Sequence, residues 1–232
     1  MSSVQRSVQT SLQSSDPIAD YALLSDCCSG ALVSASGSVD WLCFPRFDSP
    51  SVFGRILGPE AGFWSIRPAG AHSSTRRYLG PTLVLETTHT TAGGSVTVTD
   101  ALALGEGRRG HELGADSPGT LLRQVSCTQG AVDVDIVLSA RPDYGLAKPL
   151  LTWPLLRGAD GGILISAGDT VLSVSTPAPF QLSSETSTVT DTVHARLTLR
   201  AGEVAGFALH SQTRDSEPVS YTHLTLPTIC SV

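Results

Sequence analysis

Apolar side chains recur at every second position along much of this chain, a period that only an extended strand can use. Val132, Val134, Ile136 and Leu138 alternate with Asp133, Asp135 and Ser139, with Val137 the exception. Val193, Ala195, Leu197 and Leu199 alternate with His194, Arg196, Thr198 and Arg200, and Val96 and Val98 with Thr97 and Thr99. Successive side chains of a strand point to opposite faces, so this pattern sets one face on a core and the other in water. Leu83 to Thr91 and Ile163 to Ser166 are further β-rich runs. Turn signals fall between the runs, at Ser36-Gly37, Ala92-Gly93-Gly94, Gln129-Gly130, Gly161-Gly162, Gly168-Asp169 and Ala201-Gly202. Many short strands with tight glycine turns predict an all-β fold, a large antiparallel β-sandwich with little helix. The best helical candidate is Ser51 to Leu57, after Pro50, and it is barely two turns long. A doubly wound α/β fold needs repeated crossover helices, and there is no room for them.

No linker divides the stretch from Asp20 to Glu217. The expectation is one domain over 17–218, preceded by a disordered tail over 1–16 that is rich in Ser and Gln. The segment 219–232 reads as a non-native tail. Val219 to Thr228 back-translates as GTC TCT TAT ACA CAT CTG ACG CTG CCG ACG, which looks like the read-through of a transposase sequencing adapter. The other reading is a genuine strand, Tyr221 to Leu226, ended by Pro227.

At 41% hydrophobic and 16% charged residues the chain can build a real core. A net charge of −6 with no basic stripe argues against nucleic acid and against an anionic membrane surface. No run approaches the roughly 20 apolar residues of a membrane span, and the N-terminus lacks a secretory apolar core. The location expected is cytoplasmic. Lys148 is the single lysine and asparagine is absent, as a GC-rich genome would produce.

Several motifs resemble sites but are better read as structure. Gly105-Glu-Gly-Arg-Arg-Gly110 matches G-x-G-x-x-G, yet the residues next in the chain, His111 to Gly119, cannot start a stable helix. Without that helix no dipole faces a pyrophosphate, and a surface loop is expected. Asp133 and Asp135 share one strand face opposite an apolar one, so they read as solvated charges. The histidines His72, His89, His111, His194 and His210 are scattered, with no nucleophile elbow among them. Cys27, Cys28, Cys43, Cys127 and Cys230 make no C-x-x-C pair and read as buried reduced thiols. The residues point to no metal and no cofactor.

The densest chemistry lies in Pro17 to Gly58, where Tyr21, Trp41, Phe44, Phe47 and Phe53 fall among Asp26, Asp40, Arg46 and Asp48. Ala31 to Ser34 and Ser38 to Leu42, around Ser36-Gly37, read as a hairpin, with Pro45-Arg-Phe-Asp48 a loop leaving its second strand. Aromatic rings beside Arg and Asp recur in sugar sites, where rings stack on C–H faces and charged groups take hydroxyls. They recur equally in buried corners and at domain interfaces, and both readings stand for Trp41, Arg46, Phe47 and Asp48.

These residues also carry a resemblance. Pro17-Ile-Ala-Asp-Tyr-Ala-Leu-Leu-Ser-Asp-Cys27, Ala31-Leu-Val33 and Gly37-Ser-Val-Asp-Trp-Leu-Cys-Phe-Pro-Arg-Phe-Asp-Ser-Pro50 resemble the opening of bacterial glycoside hydrolase family 15 proteins, the trehalase-like N-terminal domain. The likeness continues through Gly62 to Pro68, Thr75 to Tyr78, Thr82 to Thr87, Val98-Thr-Asp100, Arg123 and Arg141-Pro-Asp-Tyr-Gly145. Cys28-Ser-Gly30 departs from it, since such proteins often carry Arg-Thr/Ser-Ala there.

The resemblance implies a non-catalytic β-sandwich, succeeded in the parent enzyme by a helical barrel that hydrolyses an α-glucoside such as trehalose or starch ends. In the barrel two glutamates serve as acid and base, about 6.5–9.5 Å apart for inversion. It assigns no catalytic residue to this chain. The partners implied are that C-terminal barrel and, for the parent, its α-glucoside substrate. Trp41, Arg46, Phe47 and Asp48 are expected on the surface that meets the barrel or its sugar. The alternative is a stand-alone carbohydrate-binding or structural sandwich.

Overall fold

The computed structural model describes residues 16–105, 110–152, 162–176, 181–182 and 192–212. Almost all of the expected N-terminal tail and the whole of 219–232, Cys230 included, lie outside those residues. So do Glu106, Gly107, Arg108 and Arg109.

Fifteen strands form among the described residues, and the longest helical segments are single 3-10 turns of three residues. The strands are β1 (Ala22–Ser25), β2 (Gly30–Val33), β3 (Ser38–Cys43), β4 (Ser51–Gly54) and β5 (Phe63–Pro68). Then come β6 (Ser73–Tyr78), β7 (Leu85–Thr91), β8 (Gly94–Leu102), β9 (Thr120–Ser139) and β10 (Leu150–Thr152). The last are β11 (Gly162–Ala167), β12 (Thr170–Ser175), β13 (Gln181–Leu182), β14 (Val193–Arg200) and β15 (Val204–Gln212). The order β1-β2-β3-β5-β9-β15-β12-β11-β10 runs across the assembly, with β4 on β3, β6-β7-β8 reaching β9, and β13-β14 also on β9.

The long strand β9 belongs to both layers. Its first half pairs with β8 and β15, and its second half with β5 and β14. The first layer thus runs β1-β2-β3-β5-β9-β14-β13, and the second β6-β7-β8-β9-β15-β12-β11-β10. Their inner faces meet in one core. Leu24, Val33, Leu42, Phe53, Trp64 and Ile136 come from the first layer, and Leu85, Val98, Leu121, Val125, Leu172 and Phe207 from the second. The alternation read in the sequence sets this division. Val132, Val134, Ile136 and Leu138 are buried, while Asp133 and Asp135 face out to Thr198 and Arg196 of β14.

Two readings of the sequence need correction. Ser51 to Leu57 is not a helix. Ser51–Gly54 is strand β4, with Phe53 opposite Leu42, and only Arg55–Leu57 forms a 3-10 turn. Two adjacent buried apolar side chains, Val52 and Phe53, gain more against β3 and the core than one short helix would. Gln129-Gly130 does not reverse the chain either; β9 continues through it. Gly130 has φ 71°, and a Cβ there would lie 2.0 Å from the carbonyl oxygen of Gly93. Two backbones touch at this point, and the strand bends from one layer into the other.

A buried ion pair ties the layers together. Arg123, on β9, donates from Nε to Asp100 Oδ1 of β8 (2.8 Å), from Nη1 to the Trp64 carbonyl (2.6 Å) and from Nη2 to the Gly37 carbonyl (2.7 Å). Its guanidinium also lies 5.2 Å from the Trp64 ring centroid. A charge buried to this depth is tolerated only with such complete pairing. Elsewhere, at the layer edges, Tyr78 of β6 crosses to β1. Its hydroxyl accepts from the Leu23 N–H (2.9 Å) and donates to the Leu23 carbonyl (3.0 Å). One side chain thus occupies the backbone groups that an added strand would use.

Candidate loop end and aromatic face

Three loops are stitched together at one end of the sandwich. The β1–β2 turn is organised by buried Asp26, whose Oδ1 accepts from the N–H groups of Cys28 (3.0 Å) and Ser29 (2.6 Å). Its Oδ2 accepts from Ser117 Oγ, which draws in the loop before β9. Cys28 Sγ donates to the Gly114 carbonyl of that same loop (2.8 Å). The segment after β3 joins through Phe47 N–H to the Cys28 carbonyl (2.8 Å) and through Ser29 Oγ to the Cys43 carbonyl. The chain leaves β15 at this end too, since Ser211 N–H bonds the Gly119 carbonyl (2.9 Å). Of the G-x-G-x-x-G motif only Gly105 and Gly110 are among the described residues; after it comes one 3-10 turn, Gly110–Glu112, and then a loop held to the β1–β2 turn through Gly114 and Ser117.

Three of the four expected site residues lie on this end. Phe47 is 58% exposed, and a Cβ on Gly30 would come 2.8 Å from its ring. The absence of a side chain at Gly30 makes the room for that ring. Arg46 Nε donates to Asp48 Oδ1 (2.9 Å), with side chains 71% and 74% exposed. The pair holds the Asp48 carboxyl below its ordinary range and raises the Arg46 guanidinium. The Phe44–Pro45 peptide bond that leads into this loop is cis.

Trp41 belongs to a different surface. It lies between buried Asp40 and buried Leu42 in the chain, and pairs across to Leu32 and Gly54, on the outer face of the first layer. Its ring lies 6.3 Å from that of Tyr144, inclined by 42°. Beside it, Asp40 accepts from the Tyr21 hydroxyl (2.9 Å) and from Ser38 Oγ (2.5 Å), with Arg55 Nη1 at 4.0 Å. Burial first, then the Asp40 carboxylate, pushes the Tyr21 phenol well above its ordinary pKa. Arg55 in turn lies over the Phe63 ring at 4.1 Å. The structure thus divides the four residues, joining Arg46, Phe47 and Asp48 to the loop end and Trp41 to Tyr144.

Tyr144 carries no signal of a site in the sequence, although it lies within the matched string Arg141 to Gly145. Spacing gives no sign that it meets Trp41. A backbone signal exists only in the structure, where Asp143 and Tyr144 both have φ 56°. Left-handed backbone at a non-glycine residue costs about 1–3 kcal/mol and persists only where its surroundings impose it. Here Gly145 N–H bonds the Arg141 carbonyl (3.1 Å), Leu146 N–H the Asp143 carbonyl (2.9 Å) and Ala147 N–H the Pro142 carbonyl (3.2 Å).

The histidines and thiols are placed individually. His194 is exposed, as its outward position in β14 predicts. His89 is fully buried, with Nδ1 2.8 Å from Ser74 Oγ, and burial lowers its pKa to about 4. Cys43 and Cys127 are buried, whereas Cys27 is exposed and Cys28 half-buried, which corrects the expectation of uniformly buried thiols. A left-handed φ of 68° at Cys27 turns its side chain outward at the β1–β2 turn. Among the described residues no three of His, Cys, Asp and Glu gather as metal ligands. None of the described helices is long and apolar enough to cross a membrane.

Comparison with known proteins converges on one family. The family model described as trehalase-like, N-terminal matches residues 5–222. A trehalase of Mycolicibacterium smegmatis is 42% identical over 161 residues, covering 65% of this chain and 24% of the relative. A trehalase of Mycobacterium tuberculosis is 40% identical over 161 residues, covering 65% and 23%. Trehalase 1 of Sulfolobus acidocaldarius is 46% identical over 72 residues, covering 31% and 13%. The chain spans about a quarter of the length of the mycobacterial relatives it matches.

Proposed function

The chain belongs to the trehalase-like N-terminal family, and from that membership we propose that it is the non-catalytic β-sandwich of a bacterial, cytoplasmic glycoside hydrolase of family 15. The parent hydrolyses an α-glucoside, trehalose first among the candidates because the mycobacterial relatives are named trehalases. The observation that carries this reading is the match of 65% of the chain to only about a quarter of those relatives. A hydrolase of that length has ample polypeptide beyond this region for its acid and base.

The sandwich packs against that further polypeptide, a helical barrel, and shapes the approach to its sugar. The loop end is the favoured contact. Arg46, Phe47 and Asp48 are exposed there, and β15 delivers the chain to the same end. Trp41 lies on the adjoining outer face. The reading needs no metal and no organic cofactor, since general acid and base suffice for glycoside hydrolysis.

A hybrid tests it. Residues 16–212 replace the matching N-terminal part of the M. smegmatis trehalase, and trehalose hydrolysis is measured. The hybrid should be active, and Arg46→Ala and Asp48→Ala should each lower its turnover or its melting temperature. Release of glucose from trehalose by the 232-residue chain alone, or wild-type turnover and melting in both variants, would remove the proposal.

A further inference from the structure

We infer that internal water is bound between the two layers, joining His89 Nε2 and Thr87 Oγ1 of β7 to the Ile66 carbonyl of β5. Three side-chain atoms in this region have no hydrogen-bond partner among the described residues: Trp64 Nε1, Thr87 Oγ1 and His89 Nε2. All three residues are fully buried. Polar atoms taken so completely from solvent nearly always have a partner, either protein or ordered water.

Backbone geometry brings these atoms together and adds an acceptor. Thr87 and His89 are two residues apart on β7, so both side chains enter the core from one face. A Cβ on Gly37 would stand 3.2 Å from His89 Nε2 and 2.9 Å from the Ile66 carbonyl oxygen. Both atoms therefore border the same space beside Gly37, near enough for one small molecule to bond both. Thr87 stands opposite Val98, which shares its strand face with Asp100, the partner of Arg123. Gly37 takes Arg123 Nη2 on its carbonyl (2.7 Å), and the Arg123 guanidinium lies beside the Trp64 ring. The unpartnered atoms thus gather in one shell around the buried ion pair.

The chemistry of that shell selects water. Arg123 and Asp100 balance each other's charge, so an added ion would stand beside them uncompensated. His89 is neutral at ordinary pH, because burial lowers its pKa to about 4. A neutral imidazole has one N–H and one lone pair. Nδ1 uses one of these on Ser74 Oγ (2.8 Å), and Nε2 keeps the other. The serine hydroxyl can give or take a proton, so the ligand at Nε2 must be able to do the same. It must also donate to the Ile66 carbonyl. Water meets both demands in the smallest volume, whereas an apolar filler answers neither.

Three measurements on the 232-residue chain test this. Thr87→Val keeps the branched shape and removes only the hydroxyl. A hydroxyl bound to water makes the variant melt about 2–4 °C below the parent; a hydroxyl without a partner is better replaced by a methyl, and the variant then melts at the same temperature or higher. In solution, oxygen-17 relaxation dispersion should count fewer long-lived internal waters in His89→Phe than in the parent. A crystal structure at near-atomic resolution should show an ordered water within about 3.2 Å of His89 Nε2. A Thr87→Val protein that melts no lower than the parent, an equal water count in His89→Phe, or a protein group bonded directly to Nε2 in place of the water each overturns the inference.

Discussion

Two arginine–aspartate pairs in this molecule have nearly the same geometry and opposite roles. Arg123 Nε lies 2.8 Å from Asp100 Oδ1 with both side chains sealed from water. Arg46 Nε lies 2.9 Å from Asp48 Oδ1 with both side chains about three-quarters exposed. Distance alone does not separate them; surroundings do. Arg123 also meets two carbonyls from the opposite layer, so it fixes how the sheets face each other. Arg46 and Asp48 have water and salt around them, which leaves little energy in the pair. The first pair belongs to the fold, and the second is available to a partner.

Breaking the buried pair should have the largest effect. Asp100→Ala leaves a guanidinium without its counter-charge between two sheets, and losses of this kind run to about 3–5 kcal/mol. The urea midpoint should fall accordingly, with an unchanged slope. Replacing both partners by apolar residues of similar volume should recover most of the loss. If Asp100→Ala melts like the parent, the pair does not organise the layers.

Close to this centre, His89 gives the next largest effect, through pH. Its folded pKa is lowered to about 4, chiefly by burial and then by His72 and Arg123, against about 6.5 when unfolded. Between these values the unfolded chain binds a proton that the folded chain refuses, so stability rises with pH there. The contribution is complete above pH 6.5 and is lost as pH falls toward 4, about 3 kcal/mol in all. Urea midpoints measured from pH 7 to pH 4 should show this slope, and His89→Gln should flatten it. An equal slope in both proteins would assign the acid sensitivity elsewhere.

The same contrast explains what could be read from sequence. Period-two alternation pointed to the sandwich directly, because Val132 to Leu138 and Val193 to Leu199 each send one face inward. Asp100 and Arg123 stood out only as matched positions, since nothing local says that they meet across two strands and reach a second sheet. The Gln129-Gly130 signal was real but ambiguous, because glycine serves a sharp bend in a continuing strand as well as a reversal. Ser51 to Leu57 failed for a related reason: tertiary pairing with β3 outweighed a weak local preference. At the candidate site, Arg46 to Asp48 were legible as a polar loop after a hairpin. The partner of Trp41 was not, because Tyr144 arrives from a distant loop with no periodic pattern to announce it.

Edges provide a smaller test. Tyr78→Phe removes one hydroxyl and frees both backbone groups of Leu23 on β1. The stability cost should be about 1 kcal/mol. The more telling readout is association, because the freed edge can pair with a second chain. Light scattering should show oligomers in Tyr78→Phe at concentrations where the parent shows fewer; equal association in both would mean that this hydroxyl does not guard the edge.

The smallest effect on stability belongs to the exposed pair, and its smallness is the point. Arg46→Ala and Asp48→Ala should leave the melting temperature of the isolated chain unchanged within error, since nothing buried depends on either side chain. Asp48→Ala should return the Arg46 guanidinium toward its ordinary pKa, because that carboxylate is the main cause of its rise. In the trehalase hybrid the same substitutions should lower turnover or melting, because a surface that meets a partner matters only when the partner is present. A drop in the isolated chain and none in the hybrid would reverse the assignment. The loop would then support the sandwich, and the contact with the rest of the enzyme would have to lie elsewhere, with the Trp41 and Tyr144 face the next surface to probe.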